Sequence, residues 1–144
     1  MMEKIPPRLS EIIDDFAGSE GREKLELLLQ YAESLPPLPS DLQNHPEQMN
    51  QVHECMTPVY VQARVENDRI FYYFDVPPES PTVRGYAALL GEGVNGCSLV
   101  EILAIPADFY RQMGLDQVLT QQRLNGIAAI LAHMKRLAIA SMNP

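Results

Sequence analysis

Two side chains in this chain of 144 residues offer a sulfur nucleophile, Cys55 and Cys97. Cys55 lies in the run Val52-His53-Glu54-Cys55-Met56-Thr57-Pro58, which is too polar for an ordinary core strand. Sulfur chemistry needs the thiolate, which a nearby imidazolium favours and a nearby carboxylate opposes. His53, two residues before Cys55, shares a face with it if the segment is extended. Glu54 acts against ionisation. The alternative is an inert thiol packed as a small apolar side chain. Cys97 precedes Ser98, a helix-capping residue, and reads as a buried structural thiol.

Other chemistries find few residues to use. There is no Cys-x-x-Cys and no His-Glu-x-x-His, and His45, His53 and His133 are scattered. A zinc or cluster site needs about four converging ligands. His133 reads as a surface position of the last helix. Gly91-Glu92-Gly93 follows a helical pattern rather than a strand, so it reads as a helix stop and not a phosphate loop. Arg84 in Val83-Arg84-Gly85 and Arg123 in Arg123-Leu124-Asn125-Gly126 are helix arginines, either simply exposed or able to steady a thiolate or orient the Cys55 segment.

The elements that position Cys55 follow from periodicity. Ser10 is a helix cap, and Leu9, Ile12, Ile13 and Phe16 recur at helical spacing around it. A second helix carries Leu25, Leu28, Leu29 and Ala32 on one stripe and ends near Leu35, before the prolines at 36, 37 and 39. Residues 40–54 read as a loop with a short strand at 50–53. Then Val59, Val61, Ala63 and Val65 alternate with polar residues, as do Ile70, Tyr72 and Phe74 with their neighbours. Asn67-Asp68 between them suits a two-residue hairpin turn. That turn pairs Val65 with Ile70, Ala63 with Tyr72 and Val61 with Phe74, all on one face. Cys55 therefore sits where a loop enters the hairpin 58–66/69–76, with Pro58 at the strand entry.

The remainder reads helical. Thr82 caps a helix that ends near 91–96, and Ser98 with Glu101 forms a capping box for a short helix to Ala104. A helix runs from Pro106 to Gly114. A long one follows Thr120, with Leu124, Ile127, Leu131, Met134 and Ala138 on one stripe. Helices around a hairpin predict an α+β fold, with a small antiparallel sheet packed against helices, in one domain over residues 1–144.

The net charge of −8 disfavours nucleic acid as a partner. No apolar run is long enough to span a membrane, and no basic start leads into an apolar block, so no signal peptide is read. The expectation is a cytoplasmic protein with both thiols reduced.

Four segments together, in order, carry a family resemblance. They are Leu25-Glu26-Leu27-Leu28-Leu29 with Leu35-Pro36-Pro37-Leu38, the segment Val52 to Val59, Val83-Arg84-Gly85-Tyr86-Ala87-Ala88-Leu89, and Leu119-Thr120-Gln121-Gln122-Arg123-Leu124-Asn125-Gly126. The chain resembles SufE, the cysteine desulfuration protein, over almost its whole length. The resemblance implies an α+β fold shared with cluster scaffolds of the NifU and IscU kind. It implies that Cys55 accepts persulfide sulfur from a SufS-type cysteine desulfurase, whose cofactor is PLP, and passes it to a SufB-type iron–sulfur scaffold complex. The chain itself then needs no cofactor or metal. His53, Thr57, Arg84 and Arg123 are the supporting or orienting residues, Arg123 matching the family's Arg-x-x-Gly arginine.

The loop departs from the commoner family form, which has glycine before the cysteine and Gln-Ser after it; here Glu54 precedes and Met56-Thr57-Pro58 follows. Three rivals remain open on the residues alone. A cluster scaffold requires three or more converging ligands. A thiol hydrolase built on Cys55 and His53 requires a third orienting group. In a non-catalytic binding domain Cys55 is inert.

Overall fold

The computed structural model describes residues 5–142. Helix α1 (Pro7–Ala17) starts at a proline, whose fixed φ suits a first helical turn. Ser10, expected as the cap, lies inside it, with its N–H on Pro6 O at 2.9 Å. The expected stripe of Leu9, Ile12, Ile13 and Phe16 is buried.

Helix α2 (Gly21–Glu33) buries Lys24, Leu28 and Ala32. The Leu25–Leu29 edge, expected inside, is 36% and 45% exposed. The cause is Lys24, whose Nζ donates to Phe16 O at 2.5 Å and Ser19 O at 2.7 Å. An ammonium group meets the carbonyls at and just past the end of α1, and this turns the leucine edge outward.

Residues 40–54 hold more structure than the polar pattern suggests. They contain α3 (Ser40–Asn44), with Leu42 fully buried, a 3₁₀ turn at Pro46–Gln48 and β1 (Asn50–Gln51). Strands β2 (Tyr60–Glu66) and β3 (Arg69–Asp75) complete an antiparallel sheet in the order β1-β2-β3. The predicted pairs are all present: Val65 with Ile70, Ala63 with Tyr72 and Val61 with Phe74. Asn67 and Asp68 take φ of 53° and 64°, as the tight turn demands. Val61, Ala63, Ile70, Tyr72 and Phe74 are buried together on one face.

Helix α4 (Pro81–Val94) follows Ser80, so Thr82 lies in its first turn rather than at its cap, and it continues through Gly91 and Gly93. Two of its glycines serve close packing instead of termination. A Cβ at Gly85 would stand 2.1 Å from Leu28 O of α2, and one at Gly93 would stand 2.8 Å from Leu9 Cδ1 of α1. Helix α5 (Leu99–Leu103) carries the predicted capping box between Ser98 and Glu101.

The stretch 106–114 is not the expected helix. It buries Phe109, Tyr110 and Met113 through i to i+3 turns, including a 3₁₀ turn at Phe109–Arg111. Tertiary packing replaces the helical ladder there. Helix α6 (Gln121–Met142) buries the predicted stripe and lies across the sheet, where Tyr72 Oη donates to Met134 O at 2.7 Å. The fold is α+β, with one sheet face covered by helices. Among the described residues no helix is long and apolar enough to cross a membrane.

Candidate functional site

Cys55 stands on a short loop with a firm neck. Val52 and Val59 are fully buried, and Val52 N–H donates to Val59 O at 2.8 Å. Between them, residues 53–58 project from the sheet. One backbone bond lies inside the loop, from Cys55 N–H to Val52 O at 3.2 Å. The other ties are made by side chains. Cys55 Sγ donates to Gly126 O of α6 at 3.4 Å, and Thr57 Oγ1 lies 3.0 Å from Ser80 Oγ before α4. Met56 Sδ accepts from Gln122 Nε2, and Glu54 lies 4.0 Å from Arg136.

The loop faces a cleft of about 420 Å³, lined among others by Cys55, Met56, Thr57, Val83, Arg123 and Gly126. The thiol is half-buried. Burial pushes it from 9.0 up to about 11, and Glu54 adds to the shift. At neutral pH it is therefore a protonated donor to the Gly126 carbonyl. Gly126 lies directly against it: a Cβ there would stand 3.5 Å from Sγ, in ordinary contact. Met56, beside the thiol, is 82% exposed.

The other sequence-derived candidates fall into different places. Thr57 and Arg123 line the cleft with Cys55. The guanidinium of Arg123 has no hydrogen bond or ion pair among the described residues; its backbone N–H is held by Thr120 Oγ1 at 3.3 Å. His53 is exposed and does not contribute to the Cys55 shift. Its charge is felt instead at His133, half-buried on α6, whose pKa is lowered by burial, Arg136 and His53 and raised by Glu54. Arg84 is committed to main-chain carbonyls, with Nε on Ala32 O at 3.0 Å and Nη1 on Val76 O at 2.5 Å. It joins α2 and the residue just after β3 to α4, and the α4 residue on the cleft is its neighbour Val83.

Gly126, Val83 and Ser80 were not among the candidates from sequence. Gly126 had a signal, since glycine inside an otherwise regular helix marks a close approach. Ser80 and Val83 had none. Cys97 is half-buried rather than buried, and both cysteines are free. Cys97 pairs with Ile70 as a β-bridge. Among the described residues no three His, Cys, Asp or Glu side chains gather as a metal-holding group.

The family description "SufE: Fe-S metabolism associated domain" matches residues 10–138. The chain belongs to the SufE family. An uncharacterized SufE-like protein of Mycobacterium tuberculosis is 39% identical over 133 residues, spanning 92% of each chain. The cysteine desulfuration protein SufE of Plasmodium vivax is 24% identical, over 96% of this chain and 55% of that protein. The solution structure of a hypothetical protein from Thermus thermophilus superposes with a TM-score of 0.86 at 35% identity, over 97% of this chain and 99% of that one. Membership of this family links the chain to iron–sulfur metabolism.

Proposed function

We propose that Cys55 is the sulfur acceptor, loaded by a SufS-type cysteine desulfurase and unloaded to a SufB-type iron–sulfur scaffold. In this reading residues 1–144 act as one SufE-like domain in the cytoplasm. One observation carries the proposal: the Cys55 thiol borders an open cleft on a loop whose outer ties are side-chain contacts. Such contacts are individually worth about 1 kcal/mol, so a docking partner can replace them.

At rest the thiol is neutral because it is desolvated. Drawing the loop out of the cleft removes that burial and favours the thiolate. The thiolate attacks the outer sulfur of the desulfurase persulfide. A new S–S bond forms at Cys55, the donor S–S bond breaks, and the donor cysteine leaves as a thiolate that takes up the proton Cys55 lost. Sulfane sulfur changes carrier with no external oxidant or reductant. On return, the added sulfur extends roughly 2 Å beyond Sγ. The cleft has room for it, and the uncommitted guanidinium of Arg123 on the same cleft stabilises its negative charge.

The name of the Plasmodium relative agrees with this assignment. The scaffold alternative needs several converging thiolates. The test is intact mass after incubation with a cysteine desulfurase and cysteine. The expected result is an adduct of about 32 Da per sulfur, reversed by thiol reductant and absent from Cys55→Ser. A chain that stays unmodified while the desulfurase in the same sample carries its own persulfide would overturn the assignment.

A further inference from the structure

The methionines of the described residues divide sharply by exposure. Met113 and Met134 are fully buried, and Met49 and Met142 are half-buried. Met56 is 82% exposed and follows Cys55 directly. Burial is the ordinary fate of such a side chain. The sulfur of Met56 is nonetheless engaged, because Sδ accepts from Gln122 Nε2 in the first turn of α6. Both residues line the Cys55 cleft, so this contact is one of the side-chain ties that close the loop over it.

A thioether is a weak hydrogen-bond acceptor. Its lone pair is also where a peroxide oxidises it, and an exposed thioether is reached sooner than a buried one. The neighbouring thiol is spared. Peroxide reacts with a thiolate, and burial and Glu54 push the Cys55 thiol up to about 11, so at pH 7 only about one sulfur in 10,000 is ionised. The closed loop therefore presents methionine to the oxidant and withholds cysteine.

We infer that Met56 is a methionine-oxidation site whose sulfoxide locks the Cys55 loop closed. Hydrogen peroxide is the oxidant. One of its oxygens bonds to Sδ, the O–O bond breaks, and the other oxygen leaves as water with both protons. The sulfur loses two electrons and the peroxide gains them. Most of the Met56 side chain is in solvent, so it is free to turn and seat the new oxygen against Gln122 Nε2. The tie between loop and α6 changes from a weak contact on sulfur to an amide bond on a strong oxygen acceptor. Cys55 then stays longer against Gly126, away from any partner. Methionine sulfoxide is reducible by dedicated reductases, so the lock is reversible. The inference concerns the same loop as the sulfur-carrier reading but does not rest on it, and its test contains no desulfurase.

The test treats the whole reduced chain with hydrogen peroxide at pH 7 and removes the peroxide with catalase. Dithiothreitol then restores the thiols, leaves the sulfoxide and is removed by desalting. Peptide masses should show a gain of about 16 Da at Met56 at least about tenfold faster than at Met113 or Met134. Iodoacetamide should label Cys55 about fivefold more slowly than in the untreated chain, with labelling of Cys97 unchanged. Methionine sulfoxide reductases acting on both epimers should restore the rate. Met56→Leu should label at one rate before and after peroxide. Gln122→Ala should still gain oxygen at Met56 but lose the slowing. Oxidation of Met113 or Met134 as fast as that of Met56 overturns the inference. So does Cys55 labelling that is unchanged or faster in the chain oxidised at Met56. Slowing that persists in Met56→Leu or Gln122→Ala assigns it to another group and overturns the inference as well.

Discussion

The two thiols of this chain are alike in exposure and unlike in attachment. Cys55 and Cys97 are both half-buried, and burial raises the pKa of both. Cys97 is held by its own backbone, with N–H on Val94 O at 3.0 Å and C=O on Ile70 N–H at 2.9 Å. Cys55 has one backbone bond, inside its own loop, and a sulfur hydrogen bond to Gly126. A backbone rung cannot be exchanged without opening the sheet edge, whereas a side-chain tie can be traded for a partner's. Accessibility alone would rank the two sulfurs together. The manner of attachment separates a sulfur that can be delivered from one that is built in.

The largest way to break this contrast is to loosen the rigid side. Gly85→Ala places a methyl group 2.1 Å from Leu28 O, a backbone atom with nowhere to go. The cost is about 3 kcal/mol, at the upper end for overpacking. Urea unfolding should show it as a lower midpoint with an unchanged slope. Gly18→Ala, where the nearest atom is 3.4 Å away, is the control and should cost much less.

Next in size is a change at the thiol's seat. Gly126→Leu fills the space occupied by Cys55 Sγ and forces the loop outward. If the thiol returns from about 11 to 9.0, its thiolate fraction at pH 8 rises up to about 100-fold. Iodoacetamide labelling of Cys55 should accelerate accordingly, while that of Cys97 stays constant. Gly126→Ala should not do this, because 3.5 Å is ordinary contact and alanine also favours the helix by up to about 1 kcal/mol. A smaller step is Thr57→Val, which removes the hydroxyl pairing with Ser80. Losing about 1 kcal/mol of loop closure should raise Cys55 labelling about fivefold, with little change in global stability.

Legibility in the sequence follows the same division. The hairpin was readable to the register because Asn67-Asp68 and the alternation of Val61, Ala63, Ile70, Tyr72 and Phe74 independently specify one pairing. The stripes of α1 and α6 were readable because a helix that buries one face leaves a period. What escaped depends on partners distant in sequence. Lys24 is inside because the carbonyls of Phe16 and Ser19 await it, and that rotates Leu25 and Leu29 outward. Gly93 was read as a stop, yet it is a contact with Leu9, which no local pattern contains. At the site, the run around Cys55 was conspicuous through its polar neighbours. Its seat, made by Gly126, Val83 and Ser80, comes from two other elements and has no local signature apart from the helical glycine.

The smallest expected effect tests the electrostatics of the loop. Glu54 is the second cause of the raised Cys55 pKa, after burial. It also lies 4.0 Å from Arg136, with both side chains more than half exposed. An ion pair so open to water contributes less than about 1 kcal/mol. Glu54→Gln should therefore leave the unfolding midpoint nearly unchanged. The sign at the thiol is definite, because removing a negative charge beside an ionising sulfur lowers its pKa. The midpoint of the pH–labelling profile should move below about 11 but stay above the ordinary 9.0, since burial remains. At pH 8 the variant should label about twice as fast as the unaltered chain, and added salt should shrink the difference by screening Glu54. A midpoint that falls all the way to the ordinary value would mean that Glu54 also holds the loop closed through Arg136. In that case Arg136→Gln should reproduce the accelerated labelling while leaving the carboxylate in place. If Arg136→Gln leaves labelling unchanged, Glu54 acts on the sulfur by its charge alone, and closure rests on Gly126, Thr57 and Met56.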